Sequence, residues 1–102
     1  RNLEFKVDPV QLVAGFSDPF DPNVVVAEMA ELLFAVPVSL EVRNQLKTNY
    51  LLLGQASDYY WSDAWEIYSN DPNTTDMTAQ LVPQLLLWLM LDMAQAAETQ
   101  LH

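Results

Sequence analysis

An all-α fold, a small bundle of three or four helices, is predicted by three features of this sequence. Apolar residues recur at close to the helical repeat of about 3.6 residues in the last three long segments. Strand-like alternation is sustained nowhere, and only two glycines stand against six prolines, most of them beside Asp or other turn residues. At 102 residues the chain fits a single domain spanning 1–102, long enough to bury a modest core without a metal or disulfide staple. Hydrophobic residues form 51 % of it, with three Trp, four Tyr and four Phe, enough to offset the entropy of ordering a chain.

Four Asp-Pro pairs punctuate the sequence, at Asp8-Pro9, Asp18-Pro19, Asp21-Pro22 and Asp71-Pro72. Each can set an N-cap acceptor before a proline at the first helical position, or make a turn. The stretch Val10 to Ala14 predicts a short helix ahead of Gly15. A helix over about 22–35 comes next, with Val25, Met29, Leu32, Leu33 and Val36 at helical spacing and Glu28 and Glu31 on another face. Ser39 is a candidate N-cap for a helix from Leu40 to Leu53 that stops at Gly54, with Val42, Leu46, Tyr50 and Leu53 as its inner stripe. Ser57-Asp58 is read as the cap of a helix over 58–69, in which Trp61, Trp65 and Tyr68 align. The last helix is expected over about 77–100, with Leu81, Leu85, Trp88, Leu89, Asp92 and Ala96 at successive helical steps. Its polar residues are sparse, so it is expected at the centre of the bundle, with Trp65 and Trp88 both in the core. Pro83 means that this helix either begins near residue 83 or bends there.

Fourteen acidic residues against four basic ones give a net charge of -10. Such a chain repels phosphate backbones and anionic membrane surfaces and gains nothing from counterion release, which argues against nucleic acid as a partner. A cationic ligand, Ca²⁺ or a basic protein surface suits the field, as does a purely solubilising role. Without cysteine there is neither a disulfide framework nor a thiolate metal site. The longest apolar run, Leu85 to Leu91, is far short of the ~20 residues of a membrane-spanning helix, and no export signal opens the chain. Its start at Arg1 rather than Met leads to the expectation of a piece cut from a longer protein, with any targeting signal upstream.

The one histidine, His102, is terminal, so catalytic or metal chemistry through histidine is not expected. What remains is carboxylate chemistry. Asp63 and Glu66 stand one helical turn apart, with Asp58 nearby and Tyr59, Tyr60, Trp61 and Trp65 interleaved, a mixture that suits a carbohydrate- or cation-binding surface. The competing reading puts Trp61, Trp65 and Tyr68 in the core and leaves Tyr59, Asp63 and Glu66 on a solvated face, since burying two unpaired carboxylates would cost several kcal/mol per ion. Asp71, Asn73, Thr75 and Asp76 crowd oxygens into a short loop, yet Asp76 stands where a calcium loop needs glycine, and Val82 where it needs a bidentate Glu. A capped turn is the better description. Asn73-Thr74-Thr75 spells a glycosylation acceptor, a tripeptide common by chance. No phosphate loop, dinucleotide fingerprint, nucleophile elbow or zinc spacing occurs. No catalytic residue, cofactor or metal is therefore assigned.

The segments Leu33-Phe-Ala-Val-Pro-Val-Ser-Leu-Glu-Val-Arg43, Tyr50-Leu-Leu-Leu-Gly-Gln55 and Val82-Pro-Gln-Leu-Leu-Leu-Trp-Leu-Met90 resemble the C-terminal region of an exported bacterial family, the one catalogued as domain of unknown function eighteen hundred. The resemblance covers roughly residues 24–101 and rests on leucine-rich patterns. It implies an extracytoplasmic or cell-envelope setting and a helical part of a larger protein, and it carries over no catalytic residues. The expected function is then a non-catalytic helical module with a structural or protein-interaction role, its partner the rest of the parent chain or another protein. The alternative is a ligand site built from Asp58, Tyr59, Asp63 and Glu66, with Asp71 and Asp76 as further polar groups.

Overall fold

Four Asp-Pro pairs do two different jobs in the folded chain. The computed structural model describes residues 8–100, with side chains through Glu98; His102 lies outside them. Asp8 accepts a hydrogen bond from the Val10 amide at 2.9 Å and starts α1 (Pro9–Ala14), and Asp21 does the same for the Asn23 amide at the head of α2 (Pro22–Leu33). Asp18 and Asp71 instead close turns, accepting from the Phe20 and Asn73 amides. Ser39 caps α3 (Leu40–Leu46) through the Val42 amide at 3.2 Å. Ser57 accepts from the Tyr59 amide at the start of α4 (Tyr59–Asn70), whereas Asp58, expected to share that cap, makes no capping bond. The last helix, α5, runs Val82–Gln100 behind a single 3-10 turn at Ala79–Leu81.

Among the described residues the fold is all-helical, with no strand, and it has five α-helices rather than three or four. The fifth is α1, the short helix expected ahead of Gly15, which survives by tertiary packing and joins the bundle. α1 has six residues, too few to be stable alone, and is held against α5 with Val13 fully buried.

Two expected helices change form. The segment 40–53 is α-helical only to Leu46; Lys47–Leu51 is a π turn, in which the Leu52 amide donates to the carbonyl of Lys47 five residues back. The Gly54 amide then closes on Thr48 at 2.8 Å, with Gly54 at φ 84, where the absence of a Cβ avoids strain. The extra residue in the turn rotates the side chains beyond it. Leu51 and Leu52 enter the core and Leu53 of the expected stripe is exposed, while Val42, ahead of the turn on α3, is exposed independently of it. In the last segment, residues 77–81 are not α-helical. Asp76 accepts from the Ala79 amide at 2.8 Å, and α5 starts beside Pro83, whose missing N–H falls among first-turn groups that need no helical partner.

α5 packs on α1, α2, the π turn, α4 and the 3-10 turn. Its core face carries Val82, Leu86, Leu89, Met90 and Met93, against Val25, Val26 and Met29 of α2, Leu51 and Leu52, and Trp61 and Trp65 of α4. Trp61 and Trp65 stack at 5.8 Å between ring centroids, and the Trp61 indole N–H donates to the Pro19 carbonyl at 2.8 Å. Trp65 is a core residue as expected. Trp88 is not: it is 47 % exposed, on the side of α5 away from that face. At about 100° per residue, Trp88 lies roughly 130° from the centre of the buried arc, so the core face is turned by nearly one residue from the expected stripe. On α2 the same correction applies to Leu32, 60 % exposed, where Val26 and Ala30 are buried instead, while Val36, 54 % exposed, lies beyond the helix, which ends at Leu33 and not near 35.

Truncating the two tryptophans separates these positions. Trp65→Ala should cost ~3–5 kcal/mol in urea unfolding, by loss of packing and creation of a cavity. Trp88→Ala should cost less than about 1 kcal/mol, as for a surface group.

Candidate functional site

The candidate ligand-binding side chains are not brought together. Asp58 and Tyr59 open onto a shallow cleft of about 410 Å³ shared with Asp18, Phe20, Asp21, Asn23 and Ser62. Asp63 faces a second, smaller cleft of about 270 Å³ with Tyr60, Ile67, Asp76 and Thr78. Glu66 lines neither and is exposed, as is Asp63. The four groups are spread over about two turns of α4 and open in different directions, so no single ligand of modest size spans them all.

The aromatic part of the arrangement is also divided. Trp61 and Trp65 are buried and offer no ring to a sugar, which leaves Tyr59, 75 % exposed, and Phe20 at the rim of the first cleft. The loop from Asp71 to Asp76 spends its oxygens on its own backbone. Asp71 accepts from Asn73, Thr74 Oγ1 from the Asp76 amide at 3.1 Å, and the Thr74 carbonyl from the Gln80 side chain at 2.9 Å. These are the bonds of a capped turn. Among the described residues no three acidic or histidine side chains converge as metal ligands.

Asp58 has a different task. Its carboxylate accepts from Lys47 Nζ at 3.0 Å and from Asn23 Nδ2 at 2.9 Å, and Lys47 also donates to Asn23 Oδ1 at 2.9 Å. Three elements meet there: the first turn of α2, the π turn and the start of α4. The Lys47 ammonium, helped by Asn23, holds the Asp58 carboxyl below its ordinary value of 3.8, against an opposing desolvation. Ser62 Oγ donates to the Phe20 carbonyl, which with the Trp61 bond to Pro19 fastens the 17–21 turn onto α4. Ser17 donates through both its amide and its hydroxyl to Glu28, and these bonds hold the Glu28 carboxyl low.

On the opposite flank, Tyr50 OH donates to Asp92 Oδ2 at 2.9 Å, joining the π turn to α5. Burial, then the bond to Asp92 and its negative charge, raise the Tyr50 hydroxyl above its ordinary 10.0. Asn23 and Lys47 carried no signal in periodicity or motif, and although Tyr50 and Asp92 each fell on a helical stripe, nothing in the sequence paired them. Scarcity was a usable clue for Lys47: only it and Arg43 are cationic among the described residues, in a chain with fourteen acids.

Both pH limbs of stability depend on these pairs. Asp58 and Glu28 titrate lower in the folded chain than in the unfolded one, so their contribution is complete above the unfolded values and is lost as pH falls through the folded ones. Tyr50 titrates higher, so its contribution is complete below 10.0 and declines as pH rises through the folded value. Melting curves of Lys47→Met should show a loss of about 0.5–1 kcal/mol at neutral pH, discounted for the exposure of Asp58, and a flatter acid limb. Tyr50→Phe should lose about 1 kcal/mol and flatten the alkaline limb. An unaltered limb in either variant would show that the pair does not set that limb. In comparisons with known proteins, no family model, no curated sequence and no solved structure matches this chain.

Proposed function

We propose that this chain is a non-catalytic helical module with a structural or protein-interaction role, working as part of a larger exported bacterial protein, as the resemblance of its leucine-rich segments implies. Trp88 carries this reading. A bulky indole 47 % exposed on α5 is flanked on the same outer side by Leu91 of that helix and, in the 3-10 turn ahead of it, by Leu81, both of them exposed. Aromatic anchors of that kind are typical of surfaces completed by another protein. The polar clusters support the same view, because Asp58, Asp71 and Asp76 are engaged within the chain and Asp63 and Glu66 diverge into solvent.

The second reading, a carbohydrate or cation site, keeps one favourable feature in the cleft where Tyr59 and Phe20 stand beside Asp18, Asp21 and Asp58. Two measurements separate the readings. Hydroxyl-radical footprinting should oxidise Trp88 and Leu91 readily in the isolated chain and show both protected in the longer parent protein. Equal oxidation in both settings rejects the module surface. Calcium and oligosaccharide titrations should leave the melting temperature unchanged. A shift abolished by Tyr59→Ala with Asp58→Asn would establish the ligand site instead.

A further inference from the structure

After α2 the chain leaves the helix at Phe34 (φ -107, ψ 141), bends at Ala35 and Val36, and is extended again at Ser39 before α3 begins. This link, α3 and the C-terminal half of α5 enclose a groove of about 410 Å³. Its walls are apolar, with Phe34, Val38, Val42, Leu46 and Met93 among them, and the sole charged group on it is Asp92. The carboxylate is half-buried and accepts from Tyr50 OH. Among the described residues no cation answers it: the one ion pair is Lys47 with Asp58, and Arg43, the other described cation, lines a neighbouring cavity on Ala27, Ala30 and Val36. A carboxylate set among apolar walls, with Tyr50 OH donating to it and no described cation beside it, is an arrangement that a cation would complete.

We propose that this groove docks a segment of a partner protein that carries a lysine or arginine between apolar side chains, with the cation closing on Asp92. The proposal rests on the interaction reading above and adds the chemistry of the partner. Charge complementarity selects the occupant. A neutral apolar segment would seal Asp92 without a counter-charge, and an acidic one would meet both that carboxylate and a chain of net charge -10. A lysine or arginine can lay its aliphatic stem along Val42 and Leu46 and still place its charge on the carboxylate. Docking of an amphipathic segment into an apolar groove is a recurrent mode of recognition.

The test titrates the full chain by calorimetry with a synthetic amphipathic peptide of about 14 residues, leucine-faced with one central lysine, and with the same peptide carrying glutamate there. The lysine peptide should bind at least about tenfold tighter than the glutamate peptide. Asp92→Asn, which keeps an acceptor for Tyr50, should erase that difference, and Val42→Glu, at an exposed position, should weaken both peptides. Equal binding of the two peptides, no binding of either, or discrimination that survives Asp92→Asn overturns the proposal. So does concentration-dependent dimerisation abolished by Val42→Glu, which would give the groove to a second copy of this chain. Failure here alongside protection of Trp88 in the parent protein rejects the groove alone; loss of that protection rejects the interaction reading itself.

Discussion

Burial of one face of α5 is the constraint on which the other elements depend. The helix is apolar at every position from Leu85 to Leu91, and it packs on α1, α2, α4, the 3-10 turn and the π turn that continues α3. α1 is too short to persist without that surface, and α2 and α4 each lay their buried residues against the same cluster. Dense packing of this kind tolerates little displacement, which is why the π turn matters: by admitting one more residue it delivers Leu51 and Leu52 to the core while keeping Ser39 as a cap.

Around that core, a small set of polar bonds decides how the connections lie. Trp61 and Ser62 donate to the carbonyls of Pro19 and Phe20, Ser17 reaches Glu28, and Lys47 joins Asp58 and Asn23. Each bond fastens a loop or a helix end to its neighbour rather than one helix face to another. With two cations among the described residues, the supply of ion pairs is limited, and most carboxylates cap turns or face water. The acidic field is therefore carried chiefly by solvated groups, and Asp92 stands out as a carboxylate set into an apolar groove.

The surface left over is informative for the same reason. A chain able to bury Val13, Met29 and the α4 tryptophans almost completely nevertheless leaves Trp88, Leu32 and Leu40 largely in water. Single exposed apolar groups are ordinary, but Trp88 and Leu91 share one outer side of α5, and exposed Val42 lines the groove beside the α2–α3 link. In the proposed reading these faces are where another protein segment packs, and none of the carboxylates is assigned a catalytic part.

Local chemistry was legible in the sequence by itself. The Asp-Pro caps, the Ser39 cap, the stop at Gly54, the aligned pair Trp61 and Trp65 and the outward placement of Asp63 and Glu66 all depend on interactions within a few residues, so helical class and most helix starts could be read directly. The face of α5 that enters the core could not. From Leu85 to Leu91, where every position is apolar, i, i+3 and i+4 spacing describes more than one stripe equally well, and the partners on α1, α2 and α4 choose between them. That choice put Leu86 and Met93 inside and Trp88 outside. The π turn was hidden for a related reason: its geometry is imposed by what Leu51 and Leu52 must reach, and its local residues do not announce it. Asn23, Lys47 and Asp58, and likewise Tyr50 and Asp92, are far apart in sequence and meet only once the helices have packed.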